Sequence, residues 1–206
     1  MRVEGVTTVL ALGAGLADFT RADAAKWYPE WLLADEFMVG DNGTSRLNAP
    51  PTVMRGFIGL MERRRLGTPA EQFHRQARAE ACPDCNSFAS EYLYNMFLLV
   101  YTGIQSAGPR LTPANVDRGL HALPARQSRD PFVPSAYFAP GNHSFVKDFA
   151  VVWWDGTGHP PNSSSAGCWR LMEDGLRYRA QDWASRPGDD GIQQATPAQP
   201  CQGETS

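Results

Sequence analysis

The sequence concentrates charge of neither sign. Its 206 residues carry a formal net charge of −3, and no block of like charge is longer than Arg63-Arg64-Arg65. Holding a phosphate backbone takes a basic stripe or face, so no nucleic-acid partner is expected, and the arginine run reads as a solvated strand end or loop. Long hydrophobic runs are also missing. The longest apolar stretch, 92–104, is interrupted by Asn95 and Thr102 and falls well short of the roughly 20 residues that a bilayer requires. There is no Ser-centred elbow, P-loop or His-Glu-x-x-His, so no catalytic residue is assigned and no enzyme activity is expected. Cysteine is scarce, at four residues, and Cys82, Cys85, Cys168 and Cys201 permit three fully paired connectivities between which spacing does not choose. Neither these cysteines nor His74, His121, His143 and His159 show metal-like spacing, so no metal ligand is expected.

What is present fits a globular chain of one large domain or two small ones, with 42% apolar and 20% charged residues. The opening stretch VTTVLALGAG, residues 6–15, can be read as a secretory signal, a dinucleotide loop or a buried strand. Gly15-Leu16-Ala17 has the look of a cleavage site, but the start MRVEG is nearly neutral and Val6-Thr7-Thr8-Val9 suits a pleated strand better. Gly13-Ala14-Gly15 follows a strand and precedes a helix as a nucleotide fingerprint would, yet the third glycine position is Asp18. A carboxylate there would repel a pyrophosphate that needs exposed amides and a positive helix end. The glycines therefore read as a strand-to-helix turn, and no cofactor is expected.

Further along, 17–28 reads as a short helix ending before Pro29, 31–34 as a second buried strand and 53–60 as a third. Two β-α-β steps predict a mainly parallel sheet. Thr68-Pro69-Ala70-Glu71 is a helix start with an N-cap threonine and a proline at the first helical position. A longer helix over 88–107 is apolar nearly all round and should be buried on more than one side. Leu111-Thr112-Pro113 opens another helix. The segment 145–155 is a strand candidate, and 168–180 reads as strand, Asp174-Gly175 turn and strand, a type I′ hairpin. Beyond Trp183 no periodic apolar pattern remains, which predicts a disordered tail. Cys82-Pro83-Asp84-Cys85 follows a helix where a thioredoxin-like motif should follow a strand, so it reads as a structural disulfide. Asp35-Glu36 lies where a parallel strand would end, the edge at which open α/β sheets bind ligands, although isolated acidic pairs are more often just solvated.

The block YNMFLLVYTGIQSAGPRLTPANVDRGLHAL, residues 94–123, resembles the hinge-proximal helix and following helix of leucine-type, branched-chain-amino-acid-like substrate-binding proteins of ABC transporters. GVTTVLALG, the segment 28–32 and the region 155–183 look like other parts of that fold in the same order. The resemblance implies an α/β chain with a partial type I periplasmic-binding-protein-like fold: the second lobe plus returning helices of the first. On it, 1–67 is a second-lobe β-α-β segment, 68–129 the helices returning to the first lobe, 130–183 the terminal strands and hairpin, and 184–206 the disordered tail.

The resemblance further implies a truncated solute-binding component of an ABC-type importer, binding an amino acid or similar small solute. Its full-length form would meet a membrane permease and be periplasmic or extracellular and lipid-anchored, the signal being missing from this chain. The implied ligand-binding positions are Gly13, Gly15, Leu16, Asp35, Glu36, Phe37 and Tyr94. Leucine-type members place an aromatic in the first loop, which this chain lacks before Phe19. Two rival readings stand beside this one: an α/β enzyme using Cys85 or the Gly13 loop, and a non-functional fragment.

Overall fold

The computed structural model describes residues 5–13, 15–34, 39, 49–61, 73–84, 87–126, 134–159, 166–172, 175–179 and 201, with backbone alone at 73–75, 87–92 and 95. The chain forms two compact units, one of Met1–Arg65, Ser128–Pro134 and Asp148–Ser206, the other of Leu66–Gln127 and Ser135–Lys147.

The first unit is built on a mixed sheet. Strand β1 (Thr8–Ala11), helix α1 (Leu16–Ala24), strand β2 (Glu30–Leu33), the single helical turn α2 (Pro51–Met54) and strand β3 (Phe57–Met61) come first in the chain. They are followed after the second unit by β4 (Asp148–Asp155), β5 (Cys168–Leu171) and β6 (Arg177–Arg179). β1, β2 and β3 are parallel neighbours, with Ala11 opposite Leu33 and Leu33 opposite Gly59. β4 then joins β3 antiparallel, and β5 and β6 both pair antiparallel with β4. The expected mainly parallel sheet is thus corrected to one that is parallel in its first half only.

Two further expectations change. Residues 53–60 are not one strand: Pro51 starts the turn α2, where its missing N–H costs nothing, so Val53 and Met54 are helical and β3 begins at Phe57. Nor do β5 and β6 form a hairpin. They lie end to end along one edge of β4, β5 against 152–155 and β6 against 148–150. Between them the Met172 amide still donates to the Val151 carbonyl at 2.9 Å, and the Gly175 amide donates back to the Met172 carbonyl. β5 and β6 therefore run in the same direction along β4 rather than reversing.

Alternation in the strands sorts their side chains to two faces. On one face Phe19 of α1 is fully buried; it meets Trp31 edge-on at 5.1 Å and Phe57 at 4.9 Å. Trp169 stacks on Phe57 at 6.5 Å and meets Trp154 edge-on at 5.4 Å. Aromatic pairs of this kind add about 0.5–1.5 kcal/mol each beyond the burial of their area. On the other face Val151, Met172 and Tyr178 form a smaller cluster with Phe149 and Trp153.

The antiparallel half carries two ion pairs. Arg177 donates through Nε to Asp148 Oδ1 at 2.7 Å, and Arg170 through Nε to Asp155 Oδ2 at 2.6 Å. Burial works to raise the pKa of Asp155, but hydrogen bonds from the Thr157 hydroxyl, the Arg170 guanidinium and the Thr157 amide outweigh it and hold the pKa at about 2, against 3.8 for the unperturbed group. A depressed carboxylate stabilises the fold above its unfolded pKa and loses that contribution as pH falls through the folded value. At pH 6 Asp155→Asn is therefore expected to cost about 2 kcal/mol, and by pH 2 most of the difference from wild type should have vanished. Urea unfolding of both proteins at the two pH values checks this; a gap independent of pH would count against the ionic contribution.

The expected tail disorder does not extend to Cys201, which is buried and disulfide-bonded to Cys168; it also forms an antiparallel bridge with Arg170. The remaining residues of 184–206 lie outside the described residues.

The second unit contains helices α3 (Phe73–Ala81), α4 (Ser87–Ser106) and α5 (Pro113–His121). Thr112 caps α5 by accepting from the Asn115 amide at 3.2 Å, with Pro113 in the first turn, as Leu111-Thr112-Pro113 predicts. α4 and α5 approach closely at Gly103 and Gly119. A methyl group on Gly119 would lie 2.8 Å from the Gly103 carbonyl, and one on Gly103 would strike Leu120. The chain then returns through short bridges, Arg126 with Ala136 and Ala136 with Val146.

Among its described side chains, helix α4 is not buried on more than one side. Leu93, Met96, Phe97, Val100 and Tyr101 are all about half exposed or more, and their spacing of i, i+3, i+4, i+7 and i+8 puts them on one face. The apolar sequence is right for a buried helix, but nothing in the described chain covers that stripe. No helix of the described residues is long and apolar enough to cross a membrane.

Candidate functional site

Parallel strands that end in register bring their following loops to a common edge. Here β1 and β2 end together, and the Ala34 amide reaches the Ala11 carbonyl at 3.5 Å, so the chain leaves β2 beside the loop that follows β1. Of the expected binding residues, Gly13 and Gly15 lie in that loop and Leu16 is the first residue of α1. Gly13 is exposed and has φ +67°, a left-handed conformation that glycine adopts without strain. Gly15 is the N-cap of α1, and its amide donates to Asp18 Oδ2 at 3.0 Å. Leu16 is half-buried and packs against the core. Asp35, Glu36 and Phe37 lie outside the described residues. Tyr94 belongs to the second unit, where it is half-buried in α4.

The Asp18 carboxylate sits at the amino end of α1 and takes the amide that a phosphate would need, which agrees with reading the glycines as a turn rather than a nucleotide cradle. Phe19 cannot supply the missing loop aromatic, because its ring is fully buried between Trp31 and Phe57. Cys82 is disulfide-bonded, and Cys85, the nucleophile of the rival enzyme reading, lies outside the described residues.

The opposite edge of the sheet holds a cleft of about 860 Å³ lined by Thr20, Pro51, Met54, Arg55, Trp153 and Thr157, among others. It lies where β4 ends beside the start of β3, and is therefore separate from the loop at Gly13.

One grouping escapes the sequence reading. Asp117 and His121 on α5 and His143 in the returning segment bring a carboxylate oxygen and two ring nitrogens within 4.8 Å of one another. The i, i+4 spacing of Asp117 and His121 was the available signal; nothing in the spacing of His143 shows that the chain folds back onto the same helix face.

No family model matches the chain, and no curated protein matches it. Among solved structures, it is similar to one described as a possible leucine/isoleucine/valine-binding protein from Rhodopirellula baltica SH 1, with a TM-score of 0.51 and 15% identity. The chain has a binding-protein fold. The match covers 71% of this chain and 40% of the neighbour, so this chain spans less than half of the neighbour's length, and at that identity the likeness is one of fold.

Proposed function

We propose that this chain is the non-catalytic solute-binding component of an ABC-type importer, holding an amino acid or similar small solute at the carboxyl edge of β1 and β2. The observation that carries the reading is the likeness of fold to a possible leucine/isoleucine/valine-binding protein, joined to the common edge at which those two parallel strands end. In this reading the loop at Gly13 and Gly15, with Leu16 after it, forms part of the pocket wall. Asp35 or Glu36 meets the ligand's ammonium group, and Phe37 adds aromatic surface. The buried position of Phe19 leaves that loop without an aromatic side chain, which argues for a solute other than a branched-chain amino acid. The opposing wall, in this reading, comes from a lobe outside this chain, in keeping with a match to only 40% of the neighbour.

The reading extends to a permease partner in the membrane and to a periplasmic or extracellular, lipid-anchored full-length protein. The disulfide-bonded Cys82, Cys168 and Cys201 support an oxidising compartment. Calorimetry of the chain with leucine, isoleucine, valine and other neutral amino acids tests the site. One wall leaves the ligand's charged ends in water, so dissociation constants on the order of 1 mM or weaker are expected, weakened further by Asp35→Asn or Glu36→Gln. Micromolar binding would mean that the site is complete without a second lobe. Binding unchanged in both variants would move the ammonium anchor elsewhere.

A further inference from the structure

We propose that Asp117, His121 and His143 form a three-ligand site for a divalent transition metal ion of the zinc class. On α5 the i, i+4 spacing sets Asp117 and His121 one turn apart on the same face. The returning segment is held against that helix by aromatic contacts, His121 to Phe138 at 5.6 Å and Phe138 to Phe145 at 5.0 Å, and it delivers His143. Asp117 Oδ1 is 3.3 Å from His121 Nδ1 and 3.0 Å from His143 Nε2. A tetrahedral zinc ion with bonds of about 2.0–2.1 Å separates its ligand atoms by roughly 3.3 Å, so two of the three edges already have the required length. All three ligand atoms lie within 4.8 Å of one another, and the well-exposed His143 ring has room to close the third edge.

The orientation of His121 is compatible with ligation. Its Nε2 is 3.1 Å from the Ala139 carbonyl, an acceptor that holds the ring N–H when Nδ1 binds a metal ion. That nitrogen faces two oxygens, the Asp117 carbonyl at 2.9 Å and Asp117 Oδ1 at 3.3 Å. Those oxygens take a proton from Nδ1 in the metal-free ring, and a metal ion held between ring and carboxylate would take that proton's place. The Ala139 carbonyl then acts as the outer partner that fixes tautomer and ring direction, as is usual for ligating histidines. Two imidazoles with one carboxylate suit zinc and its neighbours in the first transition row, whereas magnesium and calcium prefer all-oxygen sets. Three protein ligands leave a fourth position for water or a second ligand. Asp117 and His143 are both well exposed, so that position opens to solvent. A bound ion would also tie the returning segment to α5.

Calorimetric titration of the untagged chain with zinc chloride is the test. Saturable one-to-one binding is expected, with a dissociation constant on the order of 1–10 μM that excess magnesium leaves unchanged. His143→Ala and Asp117→Ala should each weaken it at least about tenfold, and His159→Ala should not. Cobalt(II) should give the visible absorption of a tetrahedral site, lost in His143→Gln, which keeps a polar side chain at that position if the alanine variant folds poorly. No saturable zinc binding below about 1 mM, or binding that survives in both ligand variants, overturns the proposal.

Discussion

Asp148→Ala is expected to lower the free energy of unfolding by about 3–5 kcal/mol, the cost of leaving a buried charge without its partner. Asp148 is almost fully buried, and Arg177 beside it is only 12% exposed. The guanidinium does more than pair with the carboxylate: its second nitrogen donates to the Asp148 carbonyl at 3.2 Å and to the Met61 carbonyl at 3.3 Å. One arginine on β6 thus ties β4 and the end of β3 together, where the sheet turns from parallel to antiparallel. Removing the carboxylate leaves the guanidinium charged and poorly solvated. Removing the arginine as well relieves that cost, so the double variant Asp148→Ala/Arg177→Ala should be more stable than the sum of the single effects allows, by more than about 1 kcal/mol. Urea unfolding of the four proteins measures this. A single-variant loss below about 1 kcal/mol, with additive effects, would mean that water reaches the pair.

The elements that the sequence shows plainly are those governed by local chemistry. Thr112-Pro113 starts α5 where the N-cap rule predicts, Trp31-Leu32-Leu33 lies within β2, and the apolar run ending at Asp155 is β4. Contacts between distant segments were not legible. The alternation in 168–180 identifies two strand pieces, but a hairpin and two pieces that run the same way share that pattern; only pairing with β4 separates them. The helical period of α4 marks an apolar surface without saying what lies against it, and its stripe from Leu93 to Tyr101 is exposed. The edge at which β1 and β2 end was legible, through the turn at Gly13 and Gly15. The cluster of Asp117, His121 and His143 was half legible, because a helix encodes its own i, i+4 neighbours while a returning loop encodes no distance to them.

Opening the Cys168–Cys201 disulfide is expected to cost about 4 kcal/mol, and the reason lies mainly in the unfolded chain. The bond closes a loop across 33 residues of sequence, and the chain-entropy relation gives nearly 4 kcal/mol at 25 °C for a loop of that size. The native side adds packing, because both half-cystines are essentially inaccessible to solvent. Gly158 lies directly over them: a methyl group there would strike the Cys168 sulfur and come within 2.8 Å of the Cys201 sulfur. The bond also fixes Cys201 beside Arg170, whose guanidinium holds Asp155, so the end of β4, the start of β5 and the far end of the chain depend on one another. Cys168→Ala/Cys201→Ala should therefore unfold at a much lower urea concentration than wild type, and wild type treated with reductant should move the same way. Gly158→Ala should be destabilising with the bond intact and much less so in the double alanine variant, where the sulfur atoms are gone. A change below about 1 kcal/mol on losing the disulfide would mean that the unfolded chain is already compact across this loop. Equal losses from Gly158→Ala in both backgrounds would mean that the glycine answers to something other than the sulfurs.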